Sequence, residues 1–408
     1  MSATHDVIVV GGGPSGVAAA VELRRRGVRD VVLLDRESEL GGATRHCSHS
    51  PFGMREFHRV YLGASYGRRL QQEALAAGVD VRTSHSVVRL GDDGELLVSS
   101  PQGVSSLRGR RIVTSTGARE TPRSARLVSG DRPLGVLTTG ALQSYVAFHG
   151  LMPFRRPVIV GSELVSLSAL LTCVSHGARP VAMLEANARA TAKQPLTWLP
   201  TVLGIPFHRG AEIVDIQGRQ RVESVTLRRG EVLTSIACDG VLFTGRFTPE
   251  ASLHMLSGLG IADGSGAPLV DQYGRLQNPL YFAAGNVLRA VETGGWAFRE
   301  GRAVGRAVAE DLSRPASACQ PVRVHFDAPI KLVVPGLVSS GDRMAVNAFR
   351  HFQLRMTCAA VGRITLLLDG LPAWQQSGRW LPERRILVPM PPGAPDAGRI
   401  SFVFEEKA

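Results

Sequence analysis

The segment around residue 47 holds the side chains best suited to chemistry: His46, Cys47 and His49. Imidazole exchanges protons near neutral pH, and a thiol becomes reactive when its pKa is lowered. One interpretation makes Cys47 and His49 catalytic, as a proton relay or as a thiol facing a bound redox group. The other is a polar loop around a buried thiol, which the sequence alone favours. No further ligand set accompanies these residues, so no metal site is expected.

An apolar strand near the N-terminus leads into a glycine-rich turn. Residues 7–16 read VIVVGGGPSG, followed by the helical stretch VAAAVELRRRG and a second strand, VVLLD. Gly11 makes the tight turn, Gly13 lets the backbone approach a pyrophosphate, and Gly16 lets the helix pack closely on the strand. Asp35, at the end of the second strand, can accept a hydrogen bond from a ribose hydroxyl. The pattern predicts a dinucleotide site.

A second glycine pair, Gly41 and Gly42, begins six residues after Asp35. This arrangement resembles FAD-binding two-domain oxidoreductases rather than NAD dehydrogenases. Two later segments agree: IVTSTGA at 112–118 resembles the strand and turn leaving an FAD domain, and LYFAAGNV at 280–287 resembles the strand that holds the ribityl–phosphate part of FAD. We therefore expect FAD as the cofactor.

The same strand, helix and acid recur 150 positions later. Gly161 matches Gly11 and Glu185 matches Asp35, so in both copies the acid lies 24 residues after the first glycine. The repeat predicts a second strand–helix–strand unit of the same design, over 157–187.

The second copy lacks the other two glycines, because Glu163 and Ser166 stand where Gly13 and Gly16 would fall. A carboxylate about 4 Å from a phosphate, at an effective dielectric near 20, is repelled by about 4 kcal/mol. Ala186-Asn187-Ala188 also offers no arginine for a 2′-phosphate. NAD(P) binding is therefore unlikely on sequence grounds, and the unit is expected to be a nucleotide fold kept as structure.

Three longer stretches carry a family resemblance. They read GGATRHCSHSPFG at 41–53, TGARETPRSARLVSGDRPLGVLTTGALQ at 116–143 and AAGNVLRAVETGGWAFREGRAVG at 283–305. Over about 1–315 the chain resembles FAD-containing oxidoreductases that serve as subunits of heteromeric bacterial dehydrogenases. These include hydrogen cyanide synthase, opine oxidases, heteromeric proline and hydroxyproline dehydrogenases, and the flavoprotein that accompanies a glycerol-3-phosphate dehydrogenase.

The resemblance implies an α/β fold like that of pyridine-nucleotide-disulphide oxidoreductases. Two Rossmann-like domains are expected, the second inserted in the first, followed by a small C-terminal β domain. The expected boundaries are 1–118 and 246–316 for the FAD domain, 119–245 for the inserted domain and 322–408 for the β domain. SRPASACQP at 313–321 is expected to be a linker. The β domain is either a docking surface for a partner or a lid on the FAD domain.

The expected FAD contacts come from both parts of the first domain. They are Gly11, Gly13, Pro14, Ser15, Gly16, Asp35, Arg36, Gly42, Ala43, Thr44, Val87, Thr116, Gly117, Gly285, Asn286 and Thr293. Asn286 stands where such proteins usually have Asp. The helix after Thr293 is expected to point its N-terminus at the flavin and stabilise reduced-flavin charge.

The resemblance also implies partners. We expect a dehydrogenase subunit of the D-amino-acid-oxidase fold, which oxidises an amino acid, imino acid, opine or hydroxy- or phospho-polyol, with this chain relaying the electrons. A small iron–sulfur or cysteine-rich protein can complete such an assembly, since this chain has no CxxC pair. Two alternatives stay open: a structural FAD-binding subunit without turnover of its own, and a stand-alone NAD(P)H-dependent flavin oxidoreductase.

Composition excludes other classes of function. The net charge of +12 comes mainly from arginines scattered in ones and twos among acidic residues, without a nucleic-acid-binding motif, so no nucleic-acid role is expected. No apolar run reaches the roughly 20 residues of a membrane span. The N-terminus lacks the pattern of a secretory leader, and five widely spaced cysteines fit reduced thiols. A cytoplasmic location is expected.

Overall fold

The computed structural model describes residues 4–49, 51–262, 264–314, 320–340, 347–382 and 384–407. Within these residues the α-helices are α1 Pro14–Arg25, α2 Gly63–Ala76, α3 Thr139–His149, α4 Leu164–Ser175, α5 Leu199–Val202, α6 Ser252–Leu256 and α7 Gly294–Ser313. Short 3₁₀ helices occur at Gly42–His46, Arg123–Arg126, Leu196–Trp198, Gly285–Val287 and Ala394–Asp396. No helix of the described chain is long and apolar enough to cross a bilayer.

The first sheet combines both ends of the first 300 residues. Its strands are Asp80–Arg82, Val31–Leu34, Thr4–Val10, Gly103–Thr114 and Tyr281–Ala283, all parallel, with the antiparallel strands Glu95–Ser100 and Ser86–Leu90 added along the first half of Gly103–Thr114. The central strands Val31–Leu34 and Thr4–Val10 contain buried runs of Val, Ile and Leu, as helix-covered parallel sheets require. Their carboxyl ends meet at one edge, which is where ligands bind in such sheets.

A second parallel sheet lies between the two passages that build the first. Its strands, in spatial order, are Phe207–Arg209, Ala182–Glu185, Pro157–Val160, Gly240–Phe243 and Val136–Thr138. An antiparallel meander of Glu212–Gln217, Ser224–Arg229 and Val232–Ala237 accompanies it. The chain enters and leaves this unit through two paired strands, Ala118–Glu120 and Phe247–Pro249.

Glycines allow α1 and α7 to pack unusually closely beneath the first sheet. A Cβ on Gly301 would lie 2.0 Å from the Ser15 carbonyl oxygen, and one on Gly305 would lie 2.7 Å from that of Ala19. Any side chain at Gly301 would therefore push the two helices apart. This contact fixes the start of α7 relative to the start of α1.

The C-terminal residues form β-strands, as the sequence predicts, and these are arranged in two sheets. The strands are Val322–Phe326, Ile330–Val334, Leu337–Val338, His351–Met356, Ala360–Leu368, Leu371–Trp380, Ile386–Pro389 and Ile400–Glu406. Alternation identifies four of these strands in the sequence; the other four were not predicted. The first residue of the expected linker, Ser313, is the last residue of α7. Residues 315–319 of the linker lie outside the described residues.

The C-terminal unit, formed by these eight strands, is hydrogen-bonded to the first unit, which contains the first sheet. Gln272 and Ser339 exchange two hydrogen bonds of 2.8 Å, from Gln272 Nε2 to the Ser339 carbonyl and from the Ser339 amide to Gln272 Oε1. Leu332, Val334 and Phe349 are buried in the core of the first sheet. The C-terminal strands thus cover one side of the first unit.

Candidate functional site

The turn at the start of α1 can be made only with glycine. Gly11 has a φ of 105°, its amide donates to the Leu34 carbonyl over 2.8 Å, and a Cβ there would lie 2.5 Å from the Ser115 carbonyl oxygen. A Cβ on Gly16 would lie 1.8 Å from the Gly11 carbonyl oxygen. The two glycines hold the helix start tightly against the strands.

Gly13 and Gly42 approach each other closely with bare backbone. A Cβ on Gly13 would meet only the Gly42 Cα, at 4.0 Å, and one on Gly42 would lie 3.1 Å from the Gly13 Cα. Gly41 ties the two turns together, because its amide donates to the Gly12 carbonyl over 2.8 Å. We call the paired backbone of Gly13 and Gly42 at the start of α1 the first cradle. It combines bare backbone with the positive end of α1, which suits an anion such as a pyrophosphate.

Asp35 lies beside the first cradle. Its carboxylate accepts from the Gly12 amide over 2.6 Å and from the Glu37 amide over 2.8 Å. Burial raises the pKa of Asp35, while these two backbone donors act in the opposite direction. Each oxygen takes one bond and keeps a lone pair, so the carboxylate can also accept from a hydroxyl. Arg36 beside it is exposed, 3.6 Å from Glu37.

Two buried hydroxyls at the first cradle have no partner among the described residues. They are Ser15 Oγ, in the first turn of α1, and Ser115 Oγ, just after the strand that ends at Thr114. An unpaired buried hydroxyl is costly, so such groups commonly mark a ligand contact. Gly285 approaches the same place, since a Cβ on it would lie 2.7 Å from Ser15 Cβ. These observations fit a bound phosphate-containing group.

The start of α7 reaches the first cradle from the other side. A Cβ on Gly294 would lie 3.9 Å from Pro14 Cγ, so the N-termini of α1 and α7 converge. Thr293 is the exposed N-cap residue of α7. The Asn286 side chain is engaged locally: its Nδ2 donates to the Glu292 carbonyl over 3.1 Å and its Oδ1 accepts from the Glu292 amide over 2.8 Å. Asn286 thereby positions the loop before α7.

The remaining expected contacts have structural roles of their own. Ala43 and Thr44 lie in the 3₁₀ turn after Gly42, where Thr44 Oγ1 donates to the Gly41 carbonyl over 2.8 Å. Thr116 Oγ1 donates to the Glu250 carbonyl over 2.6 Å, and Gly117 has a φ of 81° beside it. Val87 lies farther along the chain, in the antiparallel hairpin opposite Val98.

Cys47 lies between the start of α2 and helix α3. A Cβ on Gly63 would be 2.8 Å from Cys47 Cβ, and the Cys47 thiol donates to the Ala43 carbonyl over 3.4 Å and to Gln143 Oε1 over 3.8 Å. Burial, with Glu120 nearby, raises the pKa of Cys47 to about 11. The group is therefore a thiol at neutral pH, not the thiolate that nucleophilic chemistry needs.

The two histidines near Cys47 are held by aromatic neighbours. His49 stacks on Phe52, with ring centroids 5.2 Å apart. His46 lies edge-on to Phe148, and burial, with Arg45 beside it, lowers the pKa of His46 to about 4. A neutral imidazole at His46 can accept a proton only under acidic conditions. The geometry matches the polar loop around a buried thiol better than it matches a catalytic pair.

A buried ion-pair cluster next to α7 was not identified from the sequence. Arg289 pairs with Glu300, whose Oε1 also accepts from the Gly285 amide over 2.7 Å. Glu292 binds Arg355 over 2.7 Å and Arg385 over 3.2 Å, both from the C-terminal unit. Arg289, Glu292 and Glu300 all lie within the quoted stretch 283–305. Arg355 and Arg385 are distant from it in sequence, so spacing gave no signal for their pairing with Glu292.

The second turn reproduces the first in its backbone. Helix α4 begins and ends 150 positions after α1, and the Gly161 amide donates to the Leu184 carbonyl over 2.8 Å, as Gly11 does to Leu34. Its polar groups, however, are satisfied within the chain. Glu185 accepts from the Ser162 hydroxyl and, over 2.9 Å, from the Asn187 amide.

The carboxylate of Glu163 fills the place corresponding to the first cradle. A Cβ on Gly161 would lie 2.6 Å from Glu163 Oε2, and one on Gly245 would lie 2.2 Å from Oε1. Burial raises the pKa of Glu163, and the Ser166 hydroxyl, which donates to it over 2.9 Å, acts in the opposite direction. The space that is open at Gly13 is thus occupied by a side chain at Glu163.

Comparison with known proteins identifies the family of the chain. The model of the pyridine nucleotide-disulphide oxidoreductase family matches residues 5–301. The chain belongs to this family. It is an FAD-dependent oxidoreductase, and the sequence-based predictions of the family, the fold class and the type of enzyme are confirmed.

Curated relatives include components of multi-subunit enzymes. The HcnB subunit of hydrogen cyanide synthase from Pseudomonas aeruginosa is 30% identical over 245 residues, covering 54% of this chain and 50% of that protein. An opine oxidase subunit from Agrobacterium tumefaciens is 28% identical over 319 residues, covering 70% of this chain and 62% of that protein. The chain spans about half to three-fifths of the length of these relatives.

Among solved structures, thioredoxin reductase of T. acidophilum superimposes with a TM-score of 0.63 at 20% sequence identity. The match covers 76% of this chain and 98% of that one. At this identity it establishes the fold alone. The family name includes pyridine nucleotides, so family membership does not favour the expectation that NAD(P) binding is unlikely.

Proposed function

We propose that this chain is the FAD-containing subunit of a heteromeric dehydrogenase. In this role it relays electrons from a partner of the D-amino-acid-oxidase fold, which oxidises an amino acid, imino acid, opine or hydroxy- or phospho-polyol. The relatives named as subunits of hydrogen cyanide synthase and opine oxidase support an assembly of this kind. A small iron–sulfur or cysteine-rich protein would complete the electron path.

The contrast between the two turns carries this proposal. The first cradle is bare backbone with an unpaired buried hydroxyl at Ser15, whereas Glu163 fills the corresponding space in the second unit. A flavoprotein that can hold FAD but cannot readily hold NAD(P)H needs another source of electrons. A partner subunit supplies them most simply.

The residues of the first cradle would hold FAD as follows. Gly13, Gly42 and the α1 N-terminus would bind the pyrophosphate, and Asp35 would accept from a ribose hydroxyl. Gly285 and Asn286 would lie along the ribityl side, with the N-terminus of α7 favouring negative charge on the reduced ring. Bound FAD supplies reversible two-electron and one-electron redox chemistry. Cys47 and His49 stay candidates for proton transfer near bound FAD. The raised pKa of Cys47 does not favour this role for its thiol.

Weak or absent NAD(P) binding is part of the same proposal. A nucleotide entering the second turn would have to displace the Glu163 carboxylate from its bonds to Ser166 and to Thr244 Oγ1, the latter 3.4 Å long. It would also compete with Ser162 for Glu185. Both steps cost free energy before any phosphate contact forms.

The proposal assigns a part to each segment of the chain. Residues 1–118 and 246–316 would bind FAD, 119–245 would be a degenerate nucleotide domain, and 322–408 would cover the FAD domain. We propose a cytoplasmic location, and the free thiols Cys47, Cys173, Cys238 and Cys358 of the described residues support it.

A stepwise reduction experiment tests the proposal. The gene would be expressed alone and together with its neighbouring genes, and flavin bleaching followed anaerobically. We expect a yellow protein whose flavin is bleached by the substrate only when the partner is present. A colourless chain that refuses FAD would contradict the cofactor assignment. Absence of bleaching in every assembly would favour a structural FAD-binding subunit.

One alternative is favoured by a specific observation. Glu185 retains the position of a ribose-binding acid, and the family name includes pyridine nucleotides, which fits a stand-alone NAD(P)H-dependent flavin oxidoreductase. Rapid bleaching of the isolated chain by NADH or NADPH would establish this alternative.

A further inference from the structure

An exposed apolar surface runs along α4 and along segment 191–203, which follows the strand Ala182–Glu185 of the second sheet. Its members are exposed large hydrophobic side chains with 41 to 78% of their surface accessible: Leu164, Leu171, Val174, Leu196, Trp198 and Val202. Soluble proteins rarely leave so many large apolar groups together without a use. We call this set the α4–α5 surface.

The α4–α5 surface is continuous because its two strips are fastened together at both ends. Leu164, Leu171 and Val174 follow one face of α4 at helical spacing. Segment 191–203 begins at the start of α4, where the Thr191 amide donates to Ser162 Oγ over 2.9 Å. It ends at the far end of α4, where Leu203 and Val174 line one pocket.

That pocket gives the surface a concave anchor point. It has a volume of about 250 Å³ and is lined by Val174, Gly177, Ala178, Arg179, Leu203 and Ile205. Its lining is mainly aliphatic, with one exposed arginine at the rim. Such a concavity has room for one apolar side chain of a partner, as the central contacts of protein interfaces commonly require.

The exposed charges of the stretch that carries the surface are basic, and one acid from outside it, Asp239, accepts hydrogen bonds from the Arg155 and Arg156 amides. Between residues 133 and 211 the acidic residues are Glu163 and Glu185, both used inside the second turn. The basic residues of the same stretch are exposed: Arg155, Arg156, Arg179, Arg189, Lys193 and Arg209. A partner that docks here is favoured when it carries Asp or Glu around an apolar centre.

We propose that the α4–α5 surface is where the partner subunit docks, with an apolar side chain in the Val174–Leu203 pocket and acidic residues facing Arg179 and its neighbours. This inference rests on the proposed function, since it assigns that partner a binding face. A second copy of this chain fits less well, because a symmetric contact would set the basic rim against itself. A lipid surface would leave the concave pocket without an occupant.

Docking at this surface would also give the degenerate second unit a function. The N-terminus of α4 is where a family member would receive its nucleotide, and here Leu164 is exposed beside the filled turn. A scaffold that no longer binds a nucleotide tightly can present its outer face to a protein. Docking would then place the partner on the unit that is joined to the FAD domain by the paired strands at 118–120 and 247–249.

The test uses the complex obtained by co-expressing this chain with the adjacent gene for the D-amino-acid-oxidase-fold subunit. Trp198→Asp and Arg179→Glu should each weaken the complex at least about tenfold in analytical ultracentrifugation. Leu233→Asp and Arg229→Glu are the matched controls, because both residues are exposed on the meander, away from α4. The controls should leave the affinity unchanged, and FAD content should be equal in all four variants.

The outcomes separate the two proposals. If no complex forms with the wild-type chain, the heteromeric function fails and this inference fails with it. If the wild-type complex forms and Trp198→Asp and Arg179→Glu bind as tightly as the controls, only the inference is overturned. It is also overturned if Trp198→Asp abolishes binding to phosphatidylserine-containing vesicles, or if Arg179→Glu abolishes a dimer of the chain itself.

Discussion

Glu163 and Ser166, which stand where the first turn has Gly13 and Gly16, are hydrogen-bonded to each other, with Ser166 Oγ donating to Glu163 Oε2 over 2.9 Å. The two departures from the glycine pattern therefore act as one unit. Together with Thr244 they form a polar network that replaces the contacts a phosphate would make. The second turn is satisfied without a ligand, while the Ser15 hydroxyl of the first turn has no partner in the described part of the chain.

Restoring both glycines should therefore restore nucleotide affinity. We expect Glu163→Gly combined with Ser166→Gly to tighten NADH binding at least about tenfold over the wild type, because the repulsion removed is up to about 4 kcal/mol at close range. Titration calorimetry measures the difference. Glu231→Gln, on the exposed turn of the meander, is the control. Micromolar NADH binding by the wild-type chain would contradict the prediction.

The repeat made much of this predictable. Because α4 lies 150 positions after α1, sliding one copy of the sequence over the other is enough to locate the helix, the turn and the acid of the second unit. The sequence could not determine the direction of the Glu163 side chain. A carboxylate turned toward solvent and one folded onto Gly161 and Gly245 have the same sequence, and only packing distinguishes them.

The reverse change in the first turn should abolish FAD binding. Gly13→Glu places in the first cradle the residue type that the second turn has at the matching position, and we expect the variant to be isolated without the visible absorbance of bound flavin. The fold should survive, since a Cβ on Gly13 meets only Gly42, at 4.0 Å. Gly230→Asn is the control, because Gly230 has a φ of 58° and nothing within 4 Å. Full flavin content in Gly13→Glu would show that the cradle is elsewhere.

Buried His254 should make the first unit sensitive to acid. Its Nε2 is 2.9 Å from Thr114 Oγ1, its Nδ1 has no partner among the described residues, and burial lowers the pKa of His254 to about 4. Thr114 Oγ1 also donates to the Phe282 carbonyl over 3.0 Å, so Nε2 carries the proton. A second proton would create a buried cation.

Proton uptake by His254 of the unfolded chain sets the direction of the pH dependence. Between about pH 6.5 and pH 4 the unfolded histidine is protonated and the folded one is not, so the free energy of unfolding falls as the pH falls, by about 3 kcal/mol in total. Urea unfolding of His254→Gln should show a pH slope smaller by one proton over this range. His325→Gln, at an exposed strand position, should leave the slope unchanged. Equal slopes in both variants would contradict the prediction.

Cys47 should react slowly with alkylating agents. With a pKa near 11 instead of the ordinary 9.0, about one Cys47 in 1000 is a thiolate at pH 8, against about one in ten for an unperturbed thiol. Mass spectrometry after iodoacetamide treatment should find exposed Cys358 labelled first and Cys47 labelled only as the pH approaches 11. Rapid labelling of Cys47 at pH 7 would restore it as a reactive, catalytic thiol.

The contacts of the C-terminal unit could not be predicted from the sequence. Strand alternation identified half of its strands, but nothing in the spacing indicated that Arg355 and Arg385 meet Glu292 in front of α7. Ion pairs between residues more than 60 positions apart depend on how sheets pack, which composition and periodicity do not encode. Of the two sequence-based interpretations of this unit, the contacts at Glu292 and at Gln272 agree with a cover on the first unit.

Arg355 should stabilise the protein more than an exposed arginine of the same unit. Its guanidinium is buried against Glu292, whereas Arg363 pairs with Glu405 at the surface. Losing a buried partner leaves Glu292 less compensated, so Arg355→Ala should lower the free energy of unfolding by about 2 to 4 kcal/mol, against less than about 1 kcal/mol for Arg363→Ala. Urea unfolding followed by tryptophan fluorescence compares the two, and Glu292→Gln combined with Arg355→Ala should recover part of the loss. Equal losses in the two single variants would mean that the Arg355–Glu292 pair does not fasten the C-terminal strands to the first unit.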